Sequence, residues 1–333
     1  MPSQKRTFAV AILILAVLAS SFGYDPPKGG LLLRSIYSPW GLASTPTTTG
    51  GSNPWAALLN PSAPGAEQLI RASAAYTGIT DFGATSQGWG SAASLGLLLP
   101  TPYGVWEGSA LFFSAPAAMA SMDLGTFGSL RGGFSKELRS DILVGAALGL
   151  TMGGNGGFGW GLDLDVGATY LAGDLGFFKD TRFGLSLLGI GKGYTTSPLT
   201  GMFGGSASSY PSAFTLGLGA RGFLYSSYNW KIDASVDLWS PSFQDIGLDL
   251  SLGLAFRDYA SLRLGWSAGL RDIFSSPYTG RSFLPSLGLS GTIPLSKGIK
   301  LGKTSQRQDA DLSVGLAAAP LYDSLYALGA GFS

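Results

Sequence analysis

Gln244-Asp245-Ile246-Gly247-Leu248-Asp249-Leu250-Ser251-Leu252-Gly253-Leu254-Ala255-Phe256-Arg257 puts an apolar residue at every even position from Ile246 to Phe256. Small or polar residues take the odd positions, Ala255 excepted. A period of two is that of an extended strand whose two faces meet different surroundings. The stretch that follows repeats it: Leu262, Leu264, Trp266, Ala268 and Leu270 alternate with Ser261, Arg263, Gly265, Ser267, Gly269 and Arg271, after a short Arg257–Ala260 connection that suits a hairpin.

Working outward, the same dyad sets Leu162, Leu164, Val166, Ala168 and Tyr170 against Asp163, Asp165, Gly167 and Thr169. It also sets Trp230, Ile232, Ala234, Val236 and Leu238 against Lys231, Asp233, Ser235 and Asp237. A soluble sandwich alternates too, but it pools its apolar faces in one closed core. Long strands that keep a smaller, more polar second face through most of the chain read instead as the wall of a membrane barrel, apolar toward lipid and polar toward the lumen. The expected segments are 70–82, 88–99, 104–115, 122–136, 140–152, 157–171, 182–194, 211–224, 228–240, 244–257, 260–271, 282–294, 309–319 and 324–333. The fold class is thus all-β: a transmembrane antiparallel up-and-down barrel of about fourteen strands, twelve or sixteen also fitting the pattern. Closure removes the edges and satisfies every backbone group inside the apolar phase. Aromatics near strand ends (Trp89, Tyr103, Trp106, Trp160, Tyr170, Tyr228, Trp230, Trp239, Tyr259, Tyr322 and Tyr326) are candidates for interfacial girdles.

Composition agrees. Of 333 residues 51 are Gly and only 12% are charged, while 45% are hydrophobic. Beyond the first 23 residues no run approaches the ~20 unbroken apolar residues of a spanning helix. The net charge of +1 offers no basic face, so no nucleic-acid partner is expected. With no Cys and no His, a Ser-His-Asp triad, a Cys-His pair, a His-bearing zinc site, a disulfide and a lipidated Cys are all excluded. No enzymatic activity, metal or cofactor is expected. The glycine run Gly153–Gly157 lacks the Lys-Ser/Thr of a phosphate loop and reads as a turn.

Lys5 and Arg6, the apolar run Phe8–Leu18 and the small residues from Ala19 to Gly23 have the three parts of a secretory signal peptide, residues 1–23, the alternative being an uncleaved anchor. From residue 24 to 68, Pro26, Pro27, Pro39, Pro46, Pro54, Pro61 and Pro64 forbid regular wall. Tyr37, Trp40, Trp55, Leu58 and Leu59 there need something to pack on. The segment is expected as a hatch or plug inside a barrel formed by residues 69–333, or as an extension folded over one mouth. The expected location is the bacterial outer membrane, reached through the periplasm.

The stretch Asn53-Pro54-Trp55-Ala56-Ala57-Leu58-Leu59-Asn60-Pro61-Ser62-Ala63 resembles the Asn-Pro-Ala region of FadL-type long-chain fatty-acid transporters and their PorV-like relatives, with Ser62 in place of the usual Ala. The resemblance implies a short N-terminal hatch inside a fourteen-stranded barrel, and hydrophobic substrates that diffuse toward a lateral opening in the wall. The function it implies is passive uptake of small hydrophobic molecules such as fatty acids. The alternative is a non-transporting barrel that serves as a structural or secretion-accessory partner through its loops. The partners expected are membrane lipid, a small hydrophobic ligand and, at the loops, another protein.

Asn60, Pro61 and Ser62 are the expected hatch residues: Pro fixes its own φ, biases its predecessor to an extended shape, and Asn satisfies nearby backbone groups. Inward parity selects Asp163, Asp165, Arg182, Arg221, Lys231, Asp233, Asp237, Asp245, Asp249, Arg263 and Arg271 as lumen-lining, a mixed ladder expected to hold the hatch and narrow the pore.

Overall fold

The computed structural model describes residues 35–44, 48–49, 53–82, 89–115, 125–154, 159–192, 194–195, 209–210, 214–241, 243, 245–257, 259–270, 284–295, 310–322 and 325–333. The expected leader and Arg271 lie outside the described residues. Fourteen antiparallel strands close into one barrel. In chain order they are β1 (Arg71–Asp81), β2 (Trp89–Thr101), β3 (Gly104–Ala115), β4 (Gly125–Arg139), β5 (Ile142–Gly154), β6 (Gly159–Leu175), β7 (Phe178–Lys192), β8 (Thr215–Ser226), β9 (Trp230–Pro241), β10 (Gly247–Phe256), β11 (Ala260–Gly269), β12 (Ser286–Leu295), β13 (Ala310–Tyr322) and β14 (Leu325–Phe332). Each pairs with its neighbour in sequence, and β1 closes on β14 from Ala74 opposite Phe332 to Asp81 opposite Leu325. A separate two-residue ladder joins Tyr194–Thr195 to Ser209–Tyr210.

The pleat decides the solvent. In β10, Leu248, Leu250 and Leu252 are 38%, 43% and 42% exposed, whereas Asp249 and Ser251 are 1% and 4%. A fold that hides its aspartates and shows its leucines inverts the rule for water and requires an apolar medium outside. Strand lengths run from 8 residues in β14 to 17 in β6, and a tilted strand needs ~9–11 residues to cross a bilayer. Among the described residues no helix is long and apolar enough to cross.

Tight turns such as 102–103, 140–141 and 176–177 gather at one end of the barrel with the start of β1 and the end of β14, and most long connections lie at the other. By that asymmetry the tight-turn end is periplasmic. Exposed Tyr103, Trp106, Tyr170, Tyr228, Trp230 and Tyr259 ring the tight-turn end, and Trp89 and Trp160 stand outside near the other. Trp239 is a correction to the expected girdle. It shares the face of Asp233 and Asp237 and is buried against Gly247, because pleat parity outranks closeness to a strand end.

Several strand bounds also differ from expectation, two of them at one hairpin. β6 runs to Leu175 and β7 begins at Phe178, beyond the expected 171 and 182. Register shifts around Gly173, with φ +70°, scramble the alternation there, so the pattern fades before the pairing does. Nor is the interior uniformly polar. At the long-loop end Ile79, Phe113, Phe127, Leu321 and Leu325 turn inward and form one apolar cluster with Ile36, Tyr37 and Leu42 from the N-terminal segment.

Candidate functional site

The described N-terminal residues make short, tight elements whose polar ends are tied locally. Helix α1 (Pro39–Ser44) begins after Ser38, whose Oγ accepts the Gly41 N–H at 2.9 Å. Two 3-10 turns follow, Ala56–Leu58 and Ala63–Ala66, and the first is entered through Asn53 Oδ1, which accepts the Ala56 N–H at 2.8 Å. Asn60 and Ser62 connect the two turns. Asn60 Oδ1 accepts the Ser62 N–H at 3.0 Å and the Ser62 hydroxyl at 2.7 Å, closing an Asx turn around Pro61. Asn60 Nδ2 donates to the Thr48 carbonyl at 2.7 Å and reaches the Ala168 carbonyl and Thr169 Oγ1 on β6, each at 3.3 Å. Ser62 Oγ meets Thr169 Oγ1 at 2.8 Å. Both Asn60 and Ser62 are fully buried, so this set links two parts of the segment to each other and to the wall.

The wall is shaped to receive it. A Cβ on Gly145, Gly167 or Gly184 would overlap the Pro61 carbonyl, Asn60 Oδ1 or the Thr48 carbonyl, and one on Gly288 would strike Ala43. At these positions the segment lies directly against the backbone of the wall, and no wall side chain fits. Ser94 Oγ donates to the Tyr37 carbonyl, and Ser286 Oγ donates to the Ala43 carbonyl at 3.3 Å. Burial holds the Tyr37 phenol well above its ordinary range, so it stays neutral.

Of the residues chosen by parity, Asp237 binds the segment directly: its Oδ1 accepts the Thr48 N–H at 2.6 Å and the Thr48 hydroxyl at 2.7 Å. Asp233 lies between two guanidiniums, Arg221 at 3.1 Å and Arg263 at 3.6 Å. Asp165 pairs with Arg131 of β4 and accepts the Gly189 N–H of β7 at 2.5 Å. Asp163 is half-buried and lies over Gly149, and Lys231 is half-buried on the face of Asp233. Asp249 is buried in register with Asp237, and Asp245 accepts the Ile246 N–H at 2.8 Å. Arg182 sits at the tight-turn edge, paired with Asp180 at 2.7 Å.

Parity reasoning passed over Arg131, Glu107 and Thr48, and it set Thr169 on the inner face without choosing it as a site residue. Arg131 Nη2 donates to the Ala57 carbonyl at 3.4 Å, and Glu107 lies across β3–β4 with both carboxylate oxygens buried and no hydrogen-bond partner among the described residues. The signal for Arg131 was weak, since Gly125–Gly133 breaks its own alternation with four glycines and only Phe127 and Leu130 as bulky markers. These groups bind, orient and fill; they form no nucleophile–base pair, and among the described residues no group of acidic side chains is arranged to hold a metal.

No family model matches the sequence, and no curated protein matches it. In fold, the chain is similar to the Pseudomonas putida toluene transporter TodX, at a TM-score of 0.51 and 12% identity over 89% of this chain and 96% of that one. A TodX deltaS2S3 mutant, a monoaromatic hydrocarbon channel, aligns at a TM-score of 0.53 and 12% identity over 89% and 97%. A Pseudomonas aeruginosa FadL homologue aligns at 0.47 and 11% over 92% and 98%. At these identities the likeness is one of fold.

Proposed function

We propose that this barrel is an outer-membrane channel for passive uptake of small hydrophobic molecules, with residues 24–68 as a hatch within it and a gap in the wall as exit. The observation that carries the reading is the apolar cluster of Ile79, Phe113, Phe127, Leu321 and Leu325 on the inner face at the long-loop end. These side chains pack the segment while it is seated, and once it moves aside an apolar solute leaving water gains ~25 cal/mol per Å² of surface it buries against them. Phe113 and Phe127 stack at 5.0 Å between centroids and present one aromatic wall. The fold shared with the toluene transporter TodX supports the same reading.

The hatch role draws its support from the buried Asn60–Ser62–Thr169 set, the Thr48–Asp237 pair and the glycines that seat the segment. The outer-membrane setting draws on the apolar exterior and the leader-like first 23 residues. The chain, leader intact, would be expressed in a Gram-negative host lacking its own long-chain fatty-acid transporter. Uptake of radiolabelled oleate and toluene would then be followed at low micromolar concentration. Several-fold faster, saturable uptake of either is expected. Equal uptake with and without the folded protein in the outer-membrane fraction refutes the proposal, and a stoichiometric co-purifying protein alongside that result would favour the accessory role.

A further inference from the structure

The seam between β6 and β7 carries an irregularity that reaches the N-terminal segment. Pairing jumps from Leu164–Ile190 to Val166–Leu187, so Asp165 faces two residues, Leu188 and Gly189. Gly189 has φ +72°, and its N–H donates to the Asp165 side chain at 2.5 Å. A bulge with a left-handed glycine is a place where ladder bonds are already missing and the wall bends. Leu188 turns inward there and is buried, while Leu164 is exposed outside, so apolar side chains stand on both sides of the irregularity.

We propose that Arg131 and Asp165 form a latch that couples the N-terminal segment to the β6–β7 seam, opening the seam to an apolar solute when the segment leaves. This rests on the channel reading above. The chain of contacts is short: the Ala57 carbonyl accepts from Arg131, Arg131 pairs with Asp165, and Asp165 holds the Gly189 amide. A latch needs a second resting place, and Glu107 supplies it. Glu107 stands in register with Gly133, one inward position from Arg131, so the guanidinium has a second buried carboxylate diagonally within reach. While the segment is seated, Ala57 and Asp165 share Arg131. Once Ala57 withdraws, Arg131 loses an acceptor on that side and swings to Glu107; Asp165 is left buried beside a bulge it no longer fixes. Two discrete arrangements of one side chain are the kind of element through which distant sites couple.

Amide exchange of residues 185–190 reads the seam without any transport, in the full barrel held in detergent micelles. Asp165→Asn is expected to speed exchange at Gly189 by about ten-fold, and Glu107→Gln, which removes the second resting place, to slow it. Asn60→Ala loosens the segment without touching the latch and is expected to speed Gly189 exchange as well. Unchanged Gly189 exchange in Asn60→Ala, or faster exchange in Glu107→Gln, overturns the latch, and these two arms decide even if Asp165→Asn does not fold.

The chain has no Cys, so Val166→Cys with Leu187→Cys makes a single disulfide across the seam. Oxidation is expected to cut oleate uptake several-fold and reduction to restore it; uptake indifferent to the clamp overturns the seam as exit. Exchange coupling without uptake in the unclamped protein would leave the latch standing and sink the channel reading instead.

Discussion

Removing the Asn60 side chain is the sharpest perturbation of the N-terminal segment. Asn60→Ala deletes three short bonds: Nδ2 to the Thr48 carbonyl at 2.7 Å, and Oδ1 to the Ser62 N–H at 3.0 Å and to its hydroxyl at 2.7 Å. At about 1 kcal/mol net for each, the loss is about 3 kcal/mol, and the buried Ser62 N–H and Thr48 carbonyl left without partners raise it toward about 5. With about 1.4 kcal/mol per factor of ten, the detached fraction rises by roughly two to three and a half orders of magnitude. Hydrogen exchange of the Ser62 amide in micelles measures this directly, and its protection is expected to fall by about a hundred-fold. Ser62→Ala, which keeps the Asn60 bond to Thr48, is expected to fall only about ten-fold. Combining it with Thr169→Val should add little, because both remove the same 2.8 Å hydroxyl contact. Ser62 protection in Asn60→Ala within about three-fold of the parent would refute the reasoning, since it would mean these bonds do not hold the segment.

Three further outcomes are expected. Leu250→Arg places a charge on the lipid face of β10 and should cost about 2–4 kcal/mol, read as a lower urea midpoint for the barrel refolded in bilayers; an unshifted midpoint would count against lipid contact there. Replacing Arg221 and Arg263 together with Ala frees lumen space beside Asp233 and should raise single-channel conductance in a planar bilayer, and no change would argue against their narrowing the pore. Gly167→Ala aims a methyl at Asn60 Oδ1 and should release the Asn60–Ser62 turn, raising its cleavage by added protease while the heat-modifiable barrel band persists on gels.

What the chain discloses by pattern depends on how many surroundings a face meets. Residues 244–271 could be read directly because one side of the pleat meets lipid and the other does not, so Leu248 to Leu254 and Leu262 to Trp266 fall into step. Where a bulge shifts parity, as around Gly173, the pattern stops short of the strand. Inside, a side chain's partner is set by strand-to-strand register, and a single sequence carries no record of it. Asp163 and Asp165 look alike on β6, yet one lies over Gly149 and the other binds Arg131 and a bulge amide. Asn60 was conspicuous because Asn-Pro is a local turn device; Thr48, 189 positions from its acceptor Asp237, had nothing local to mark it. The inward Ile79, Phe113 and Leu321 also lay hidden, since an apolar residue facing an apolar filling looks like one facing lipid.

The pairing of β1 with β14 makes completion of the wall wait on the last of the fourteen strands. Until Leu325–Phe332 is in place, Arg71–Asp81 has a row of amides and carbonyls with nothing to answer them, and a wall lacking that strand is a curled ribbon with two sticky borders. An unclosed wall of that kind leaves its border groups unanswered in lipid, so insertion and closure must go together. In return, the finished cylinder has no natural starting point: ends fused through a linker and a fresh cut at 102–103 should yield the same object by a different order of assembly.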